Sequence, residues 1–557
     1  MPSCTRPWSN AVQVLVTLIT IALVAPVQAQ VFTDKKPAHE HAAPVRGGLG
    51  GGGALQDNRI DSIPDIARAR IRRSIERFER DHPWLAAPAV PATNRGFFGP
   101  MDFPFYPHAG NPNADLYNSY FVDLDPGPGL LDFACGDRTY DGHQGNDTDL
   151  RSFAEQAIGV PVFAALAGVV VDADDGHFDM STSWDNPGPA NFVVLNHSPG
   201  EYTLYWHLKN GSVDVEIGEA VAAWQQIGLT GSSGFSTGPH LHIEIWNGNA
   251  FTEPYAGPCR PGGSLWANQP SIRHDLYLRD FGFARGTLDD LFQGPPHAYP
   301  RSNHLYNTFF PDRYTASYWM QGHNLPAGST WRIRFVDPMG IVEFDSGTNT
   351  FAWSTEDLDW WWSWWSYDIP AMQWTPGEWR VEISINGSVV VEAPVEVSFD
   401  EQPQFNRPPE PVAAAFDPPR PMQREAVFCR IETDLVHDDP DFDVLSYRYR
   451  WTVNGQVVRD VTTAAHSDAL AADLVTGDAT LACSVTPSDG RLSAPPASVS
   501  AWVEGFPCNT ADLRTPFGTL DLGDIAAFVN GFNEPFTFAD LNDDGRYDLD
   551  DIVVLVA

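Results

Sequence analysis

The chain has 557 residues and a formal net charge of −38 at pH 7. This length predicts several domains rather than a single core. The large excess of Asp and Glu argues against nucleic acid as a partner, because phosphate backbones are bound by Lys and Arg. The same charge keeps a protein soluble and attracts cations such as Ca²⁺.

The N-terminus has the pattern of a secretion signal. Arg6 lies in a short leading segment, residues 11–25 form an apolar stretch, and residues 27–29 fit the small-x-small cleavage rule. The apolar stretch is too short for an ordinary spanning helix, which disfavours the alternative of an uncleaved anchor. We therefore expect residues 1–29 to be removed and the mature chain to be secreted, periplasmic or on the cell surface, without a transmembrane helix.

The six cysteines are few for an exported chain of this size, and one of them lies in the signal. Export favours disulfides. We predict one bridge between Cys135 and Cys259 and another between Cys429 and Cys483, which leaves Cys508 unpaired. The sequence alone does not exclude other pairings.

Two segments precede the first β-rich region. Residues 30–60 are polar and glycine-rich, which predicts a flexible linker. Within the next segment, 61–94, residues 62–81 predict an amphipathic helix that must end before Pro83. This helix is either a pro-segment that crosses and blocks the cleft of the following domain, or a helix docked on that domain. Ser62 and Asp65 fit a capping pattern, and the apolar face is predicted from Ile63, Ile66, Ala67, Ile71, Ile75 and Phe78.

Residues 95–290 combine short strands with Gly and Pro turns, without helical periodicity. Their β-branched and aromatic residues predict strands at 169–171, 192–195 and 202–205. An antiparallel, largely β domain is therefore expected over this region.

Histidines and one carboxylate in this domain form a candidate metal site. His143 and Asp147 flank a Gly turn, His207 ends a strand-like run, and His240 and His242 lie two residues apart on a predicted strand, where side chains share a face. A His-x-His pair alone is more often just a polar strand face, so its upstream partners decide the interpretation. Two imidazoles and a carboxylate leave a fourth position for water, which is the catalytic rather than the structural zinc pattern.

The segments 143–147, 205–208 and 228–242 closely resemble the motifs of the lysostaphin-type (LytM-like) zinc endopeptidases. The resemblance covers roughly residues 95–265, under a third of the chain. It implies that one catalytic Zn²⁺ is bound by His143, Asp147 and His242. It also implies that the catalytic histidines are His207 and His240.

The resemblance implies a zinc metalloendopeptidase that cuts peptide cross-bridges or stem peptides of peptidoglycan. Zn²⁺ with such ligands lowers the pKa of a bound water toward about 7. His240 would take the proton of this water, and His207 would stabilise the oxyanion or pass a proton to the leaving amine, two roles that the sequence does not assign finally. The alternatives are cleavage of Gly-rich extracellular proteins and a non-catalytic wall-binding or surface-assembly protein.

Two β-sandwich domains are expected next, at 300–400 and 420–504. The tryptophan-rich run 360–365 would fill the sandwich core or pack on the catalytic domain or, if exposed, stack on sugar rings or glycans. In the second domain Cys429 and Cys483 flank Trp451, which is the Ig-like arrangement of a disulfide between two sheets packed on a strand tryptophan. The acidic turn 438–443 resembles that of cadherin-like or PKD-like modules and would either hold Ca²⁺ or be a plain solvated turn.

The last stretch, 507–557, contains an internal repeat that resembles a dockerin. Its second copy has oxygen-bearing residues at calcium-loop spacing, with a merely acidic turn as the alternative, whereas the first copy lacks them at its middle positions, Arg514 and Pro516. The resemblance implies a cohesin-like partner. The whole chain is thus predicted to be multidomain and mainly β, with an antiparallel β catalytic domain, two β-sandwich domains and a small α-helical calcium-binding tail. The predicted Ca²⁺ ligands are Asp540, Asn542, Asp544, Arg546 (through its carbonyl), Asp548 and Asp551.

Overall fold

The structure, a computed structural model, describes most of the chain between residues 49 and 504. Every element named below belongs to one unit of the chain, Lys36–Val503. The predicted signal and the predicted calcium-binding tail lie outside the described residues. None of the described helices is long and apolar enough to cross a bilayer. The described residues are 49–54, 63–82, 107–182, 188–198, 200–248, 250–266, 268–285, 315–352, 354, 356–398, 406–423, 426–432 and 439–504.

The described residues form many antiparallel sheets and few helices, as expected for a mainly β chain. The first part of the chain contains helices α1 and α2 and strands β1 to β11. These are β1 Leu49–Ala54, α1 Asp65–Asp81, β2 Tyr117–Tyr120, β3 Asn146–Asp149, α2 Phe153–Ile158, β4 Pro161–Phe163, β5 Gly168–Asp174, β6 Asn191–Ser198, β7 Glu201–Leu208, β8 Ala220–Val221, β9 Gln226–Leu229, β10 His240–Asn247 and β11 Ala250–Phe251.

The sheet that carries the candidate site has eight strands, in the order β2-β3-β10-β7-β6-β5-β8, with β11 also paired to β10. The strands predicted at 169–171, 192–195 and 202–205 are confirmed as parts of β5, β6 and β7. The short helix α2 was not predicted. Its six residues are too few to show a helical period, and Ser152 caps it by accepting from the backbone N–H of Glu155.

Strand β10 separates two cores. Leu241, Ile243 and Ile245 pack into the core on one face of the sheet. Because side chains alternate along a strand, His240, His242 and Glu244 point to the other face. There Trp246, at the end of the same row, packs with residues of helix α1. The helix therefore lies on the sheet face that carries the candidate ligands.

Helix α1 differs in two details from its predicted form. Pro64 occupies the N-cap position without a side-chain cap, so Asp65 is the first helical residue and not the predicted capping partner; Ser62 lies outside the described residues. Ile66 is 80% exposed and does not belong to the buried face. Arg68 takes a buried place on that face, three residues before Ile71. The predicted end of the helix before Pro83 is confirmed.

The second part of the chain has two sheets packed over one core. Their orders are β1-β17-β13-β12 and β15-β14-β18-β19, with β16 paired to β14. Since β12 belongs here, the first β domain ends before Tyr277 rather than near residue 290 as predicted. The strands are β12 Tyr277–Arg285, β13 Thr315–Leu325, β14 Thr330–Val336, β15 Val342–Asp345, β16 Asn349–Thr350, β17 Leu358–Asp368, β18 Gly377–Ile385 and β19 Ser388–Val397, with a 3₁₀ turn at Pro370–Gln373.

Strand β17 contains the tryptophan-rich run. Trp361 and Trp365 belong to the core between the two sheets, and Trp360 and Trp364 are also buried. Trp361 and Trp365 therefore fill this core, and the alternative of exposed sugar-stacking rings is wrong for all four buried side chains. The glycine-rich strand β1 pairs along β17, so the prediction of a flexible linker is wrong for residues 49–54. Pairing with a strand distant in sequence is not visible in local composition.

The third part of the chain also has two sheets over one core, β20-β21-β24 and β23-β22-β25-β26. Trp451 is fully buried in this core. A further apolar cluster joins Phe428 of this part to Trp224 of the first β domain. The strands are β20 Ala413–Asp417, β21 Val427–Glu432, β22 Ser446–Val453, β23 Gln456–Thr463, β24 Ser467–Leu470, β25 Ala479–Ser488 and β26 Ala497–Val503, with a 3₁₀ turn at Ala472–Leu474.

The disulfide predictions have different outcomes. The bridge between Cys135 and Cys259 is confirmed. Cys429 and Cys483 lie in opposite sheets as predicted, but both are free, buried thiols, so the predicted bridge between them is absent. Burial, followed by a hydrogen bond with Cys429, raises the pKa of the Cys483 thiol. The two thiols are thus neighbours in the core without a covalent bond.

The docking of α1 can be tested with one substitution made at two positions. Ile71 is fully buried against the sheet, so Ile71→Ala should weaken the docking by about 2–5 kcal/mol. We expect faster trypsin cleavage of the arginine-rich helix, followed by mass spectrometry. Ile66→Ala, on the 80% exposed side of the same helix, is the control and should leave the cleavage rate unchanged. Equal rates in the two variants would contradict the observed packing.

Candidate metal centre

Pairing of β3 with β10 assembles the candidate ligands. Asp147 on β3 lies directly opposite His242 on β10. His143 precedes β3 across a turn that contains Gly145. A Cβ at Gly145 would lie 2.6 Å from the carbonyl oxygen of Ile243 and 2.7 Å from the His242 ring. The turn therefore requires glycine because the chain passes so close to β10.

The three side chains bring one nitrogen or oxygen each to a common point. His143 Nε2 is 3.1 Å from His242 Nδ1, which is 2.8 Å from Asp147 Oδ1. His143 Nε2 is 3.4 Å from the same Asp147 oxygen. Tetrahedral zinc ligands at ~2.0–2.1 Å from the ion lie about 3.3 Å apart. The donor types, the separations and the burial of all three residues therefore fit a Zn²⁺ ion.

The atoms on the far side of each ring hold the ligands in place. His143 Nδ1 donates to the carbonyl of Phe121 at 2.7 Å. His242 Nε2 lies 3.0 Å from Glu244 Oε1. Such partners fix the tautomer and the orientation of a metal-binding imidazole. With these contacts, Nε2 of His143 and Nδ1 of His242 are the nitrogens directed to the metal position.

The pKa values of His242 and Asp147 are shifted by the contacts that the two side chains make with each other and with their neighbours. Burial alone would lower the pKa of His242, but its hydrogen bonds to Asp147 and Glu244 outweigh this and raise the pKa to about 9. Burial alone would raise the pKa of Asp147, but the neighbouring histidines, His143 first, bring it well below its usual range. The carboxylate is therefore charged and stabilised by the rings around it.

Glu244 is in turn held by helix α1. Arg68 donates from Nη2 to Glu244 Oε1 at 2.7 Å and from Nη1 to Oε2 at 3.0 Å. Trp246 Nε1 donates to Oε2 at 2.6 Å. The pKa of Glu244 is lowered despite its burial, because the charge of Arg68 and the hydrogen bond to His242 stabilise the carboxylate. A buried chain thus runs from Arg68 through Glu244 to the candidate ligand His242.

His207 and His240 lie together beside the three ligands, with ring centroids 4.4 Å apart. His207 Nδ1 donates to the carbonyl of Ser233 at 2.6 Å, and its Nε2 is buried without a hydrogen-bond partner among the described residues. His240 Nδ1 donates to the carbonyl of Gly238 at 2.8 Å, and its Nε2 is 3.9 Å from Asp147 Oδ1. When Nδ1 of a neutral imidazole carries the proton, Nε2 is the acceptor. Both rings can therefore accept a proton at Nε2.

Residues 143–254 match peptidase family M23. The chain carries an M23 peptidase domain. An uncharacterized metalloprotease of Buchnera aphidicola is 36% identical over 104 residues, 19% of this chain and 23% of that protein. Peptidoglycan DD-endopeptidase ShyA of Vibrio cholerae is 38% identical over 88 residues, 16% of this chain and 18% of that protein. Lysostaphin of Staphylococcus staphylolyticus is 36% identical over 87 residues, 16% of each chain. The match therefore spans less than a quarter of each of these relatives.

The structure brings together all five histidine and aspartate positions predicted for the M23 site. It adds Arg68 and Glu244, which the sequence analysis missed. Glu244 had a recognisable signal, since it continues the alternation of His240 and His242 on β10. The signal for Arg68 was weaker: it is a charged residue at a position where the helical repeat of α1 predicts an apolar one. The residues predicted to bind Ca²⁺ between 540 and 551 lie outside the described residues.

The chain from Arg68 to His242 predicts a measurable effect on metal affinity. Arg68→Met keeps an unbranched apolar stem but removes the guanidinium charge that holds Glu244. We expect the zinc dissociation constant to rise about tenfold, the lower end of the effect of removing partners of metal ligands. Competition with a chromophoric chelator measures it.

The control for this variant is Arg70→Met on the same helix. Arg70 pairs with Asp172 and Asp174, away from the ligands, and its side chain is 41% exposed. Zinc affinity should not change in this variant. Equal affinities in the wild type and in Arg68→Met would contradict the support of His242 by Arg68.

Proposed function

We propose that the protein is an exported zinc metalloendopeptidase that hydrolyses peptide bonds in peptidoglycan cross-links. The observation that carries this proposal is the convergence of one atom each from His143, Asp147 and His242 within 2.8–3.4 Å. Two further histidines with acceptor nitrogens lie beside this convergence. The predicted secretion signal would bring the protein to where peptidoglycan is accessible.

His143, Asp147 and His242 would hold the ion, which fits their donor atoms and their burial. When bound there, Zn²⁺ supplies an acidified water and polarises the substrate carbonyl. His240 is the group that takes the proton of the attacking water, because its Nε2 is near Asp147 and its side chain is 13% exposed. This assignment leaves the metal ligands unprotonated throughout the reaction.

His207 has a different role in the proposal. Its Nδ1 proton is committed to the Ser233 carbonyl, so its Nε2 has a lone pair and no proton to donate in the neutral ring. Stabilising an oxyanion requires a donor. His207 must therefore first receive the proton that His240 takes from the water, since the two ring centroids are 4.4 Å apart, and it then passes this proton to the leaving amine. This geometry favours the shuttle over the oxyanion role, two functions that the sequence left open.

The substrate is proposed from the relatives and from export. One relative is named a peptidoglycan DD-endopeptidase and another lysostaphin. A Gly-rich extracellular protein is the alternative substrate. The dockerin-like tail, with Ca²⁺ in its second copy and a cohesin-like partner, stays part of the proposal as predicted from the sequence. A non-catalytic wall-binding role is less favoured because all five M23 positions are present and assembled.

The experiment that tests this function measures the zinc content of the purified mature chain and the release of new amino groups from peptidoglycan. About one zinc ion per chain and release that a chelator abolishes are expected. Zinc without release would move the substrate to other peptides. Absence of zinc would overturn the proposal, because the three ligands then have no metal to hold.

Two substitutions separate the ligand role from the proton-transfer role. His143→Ala removes a ligand, so zinc and hydrolysis should be lost together. His240→Ala should lower the rate by about 10²–10⁴-fold while zinc is retained, because it removes only the proton acceptor. Exposed His274 lies outside the site, and His274→Ala should change neither quantity. Loss of zinc in His240→Ala would show that the ligand set is assigned incorrectly.

A further inference from the structure

The acidic turn before β22 lies outside the peptidase site, and two of its aspartates are buried. Asp439 is 3% exposed and Asp441 is 7% exposed. Burying an ionised carboxylate costs much free energy unless it is paired, hydrogen-bonded or bound to a metal. The alternative of a plain solvated turn is therefore wrong for these two residues. Each buried carboxylate needs a cationic partner, hydrogen bonds or a metal ion.

Asp441 has its compensation in the structure. The guanidinium of Arg407 donates to Asp441 Oδ1 from Nη2 at 2.6 Å and from Nε at 2.9 Å. Arg407 therefore neutralises Asp441. Asp439 has no such partner, since no Lys, Arg or His among the described residues forms an ion pair with it.

Only one of the two carboxylate oxygens of Asp439 accepts hydrogen bonds from the described residues. Its Oδ1 accepts the backbone N–H groups of Asp441 at 2.8 Å and Asp443 at 3.1 Å, which fixes the carboxylate within the turn. Its Oδ2 is buried and has no hydrogen-bond partner among the described residues. Unsatisfied buried oxygens of this kind are rare and indicate a missing partner such as an ion.

Two more carboxylates converge on Asp439. One carboxylate oxygen each from Asp439, Asp443 and Asp489 lies within 4.8 Å of the others. Asp489 follows β25 and is fixed by the backbone N–H groups of Arg491 and Leu492, both 2.6 Å from its Oδ1. Turns distant in sequence therefore supply the three groups, and both turns are rigidly held by their own backbone hydrogen bonds.

Asn406 adds a fourth oxygen near this cluster. Its Nδ2 donates to Asp489 Oδ2 at 2.8 Å, whereas its Oδ1 is buried without a partner among the described residues. Asn406 lies in the proline-rich segment that precedes β20. A second unsatisfied oxygen beside the same carboxylates again indicates a missing cation.

We propose that Asp439, Asp443, Asp489 and Asn406 form a Ca²⁺ site. The donors are carboxylate and amide oxygens only, which suits a hard cation and not zinc. The three carboxylate oxygens lie within 4.8 Å of one another, which is compatible with Ca²⁺, whose six to eight ligands lie about 2.3–2.6 Å from the ion. The site is independent of the proposed peptidase activity.

The position of the site gives it a structural role. It joins the segment before β20, the turn at 439–443 and the end of β25. Phe442, within that turn, packs on Phe281 of β12 with ring centroids 5.4 Å apart and belongs to the core of the preceding pair of sheets. Bound Ca²⁺ would therefore stiffen the connection between the second and third parts of the chain.

The test is a calcium titration of the full-length chain by calorimetry after metal removal, with thermal unfolding in parallel. Because the tail is also predicted to bind Ca²⁺, the titration is repeated in the Asp544→Asn background. We expect Asp439→Asn to remove one bound Ca²⁺ in both backgrounds. Extracellular calcium modules have dissociation constants up to ~1 mM, so Tm is measured at Ca²⁺ concentrations above this value. The rise in Tm that Ca²⁺ causes in the parent chain should be lost in Asp439→Asn.

Asp460→Asn is the matched control, because Asp460 belongs to the same pair of sheets and pairs with Arg448 at its surface. It should keep the full calcium stoichiometry. Asp489→Asn is the second variant and should lose the same ion, which keeps the test decisive if Asp439→Asn does not fold. Equal calcium binding by Asp489→Asn and its parent, or no calcium binding by Asp544→Asn, would overturn the proposal.

Discussion

The antiparallel pairing of β3 with β10 is the constraint on which the metal centre depends. It places Asp147 opposite His242 and, through the turn at Gly145, returns His143 to the same point. Strand β10 also pairs with β7, so that His207, at the end of β7, reaches His240. One central strand thus fixes three ligands and two further histidines. A shift of this register by one residue would turn His240 and His242 into the apolar core.

The metal motifs were predictable because each of them encodes its own geometry. A His and an Asp flanking a glycine turn, and two histidines at the strand period of two, specify local conformations that survive in the folded chain. The hairpin turns at Asn386 and Asn454 have the same local origin, since each asparagine precedes a glycine and its positive φ of 52° or 49° suits asparagine. Local conformation and the chemistry that depends on it were therefore accessible from the sequence.

The missed features depend on contacts between residues far apart in the chain. Leu49–Ala54 is a strand only because β17 is available for pairing, and glycine composition by itself indicates the opposite. The end of the first β domain was misplaced because β12 has an ordinary strand pattern, and such a pattern does not indicate which sheet the strand joins. Cys429 and Cys483 were located correctly on facing sheets, but spacing along the chain does not determine whether a covalent bond forms.

Helix α1 has the same long-range character, and its contacts bear on the two interpretations left open for it. A helix that only blocked the site would pack by shape, and its departure would leave the ligands as they were. Arg68 instead neutralises Glu244, which holds the ring of His242. Removing one partner of a buried ion pair typically costs about 3–5 kcal/mol because the other charge stays uncompensated. Departure of α1 would therefore disturb the candidate metal ligand itself, which favours a docked, permanent helix over a detachable pro-segment.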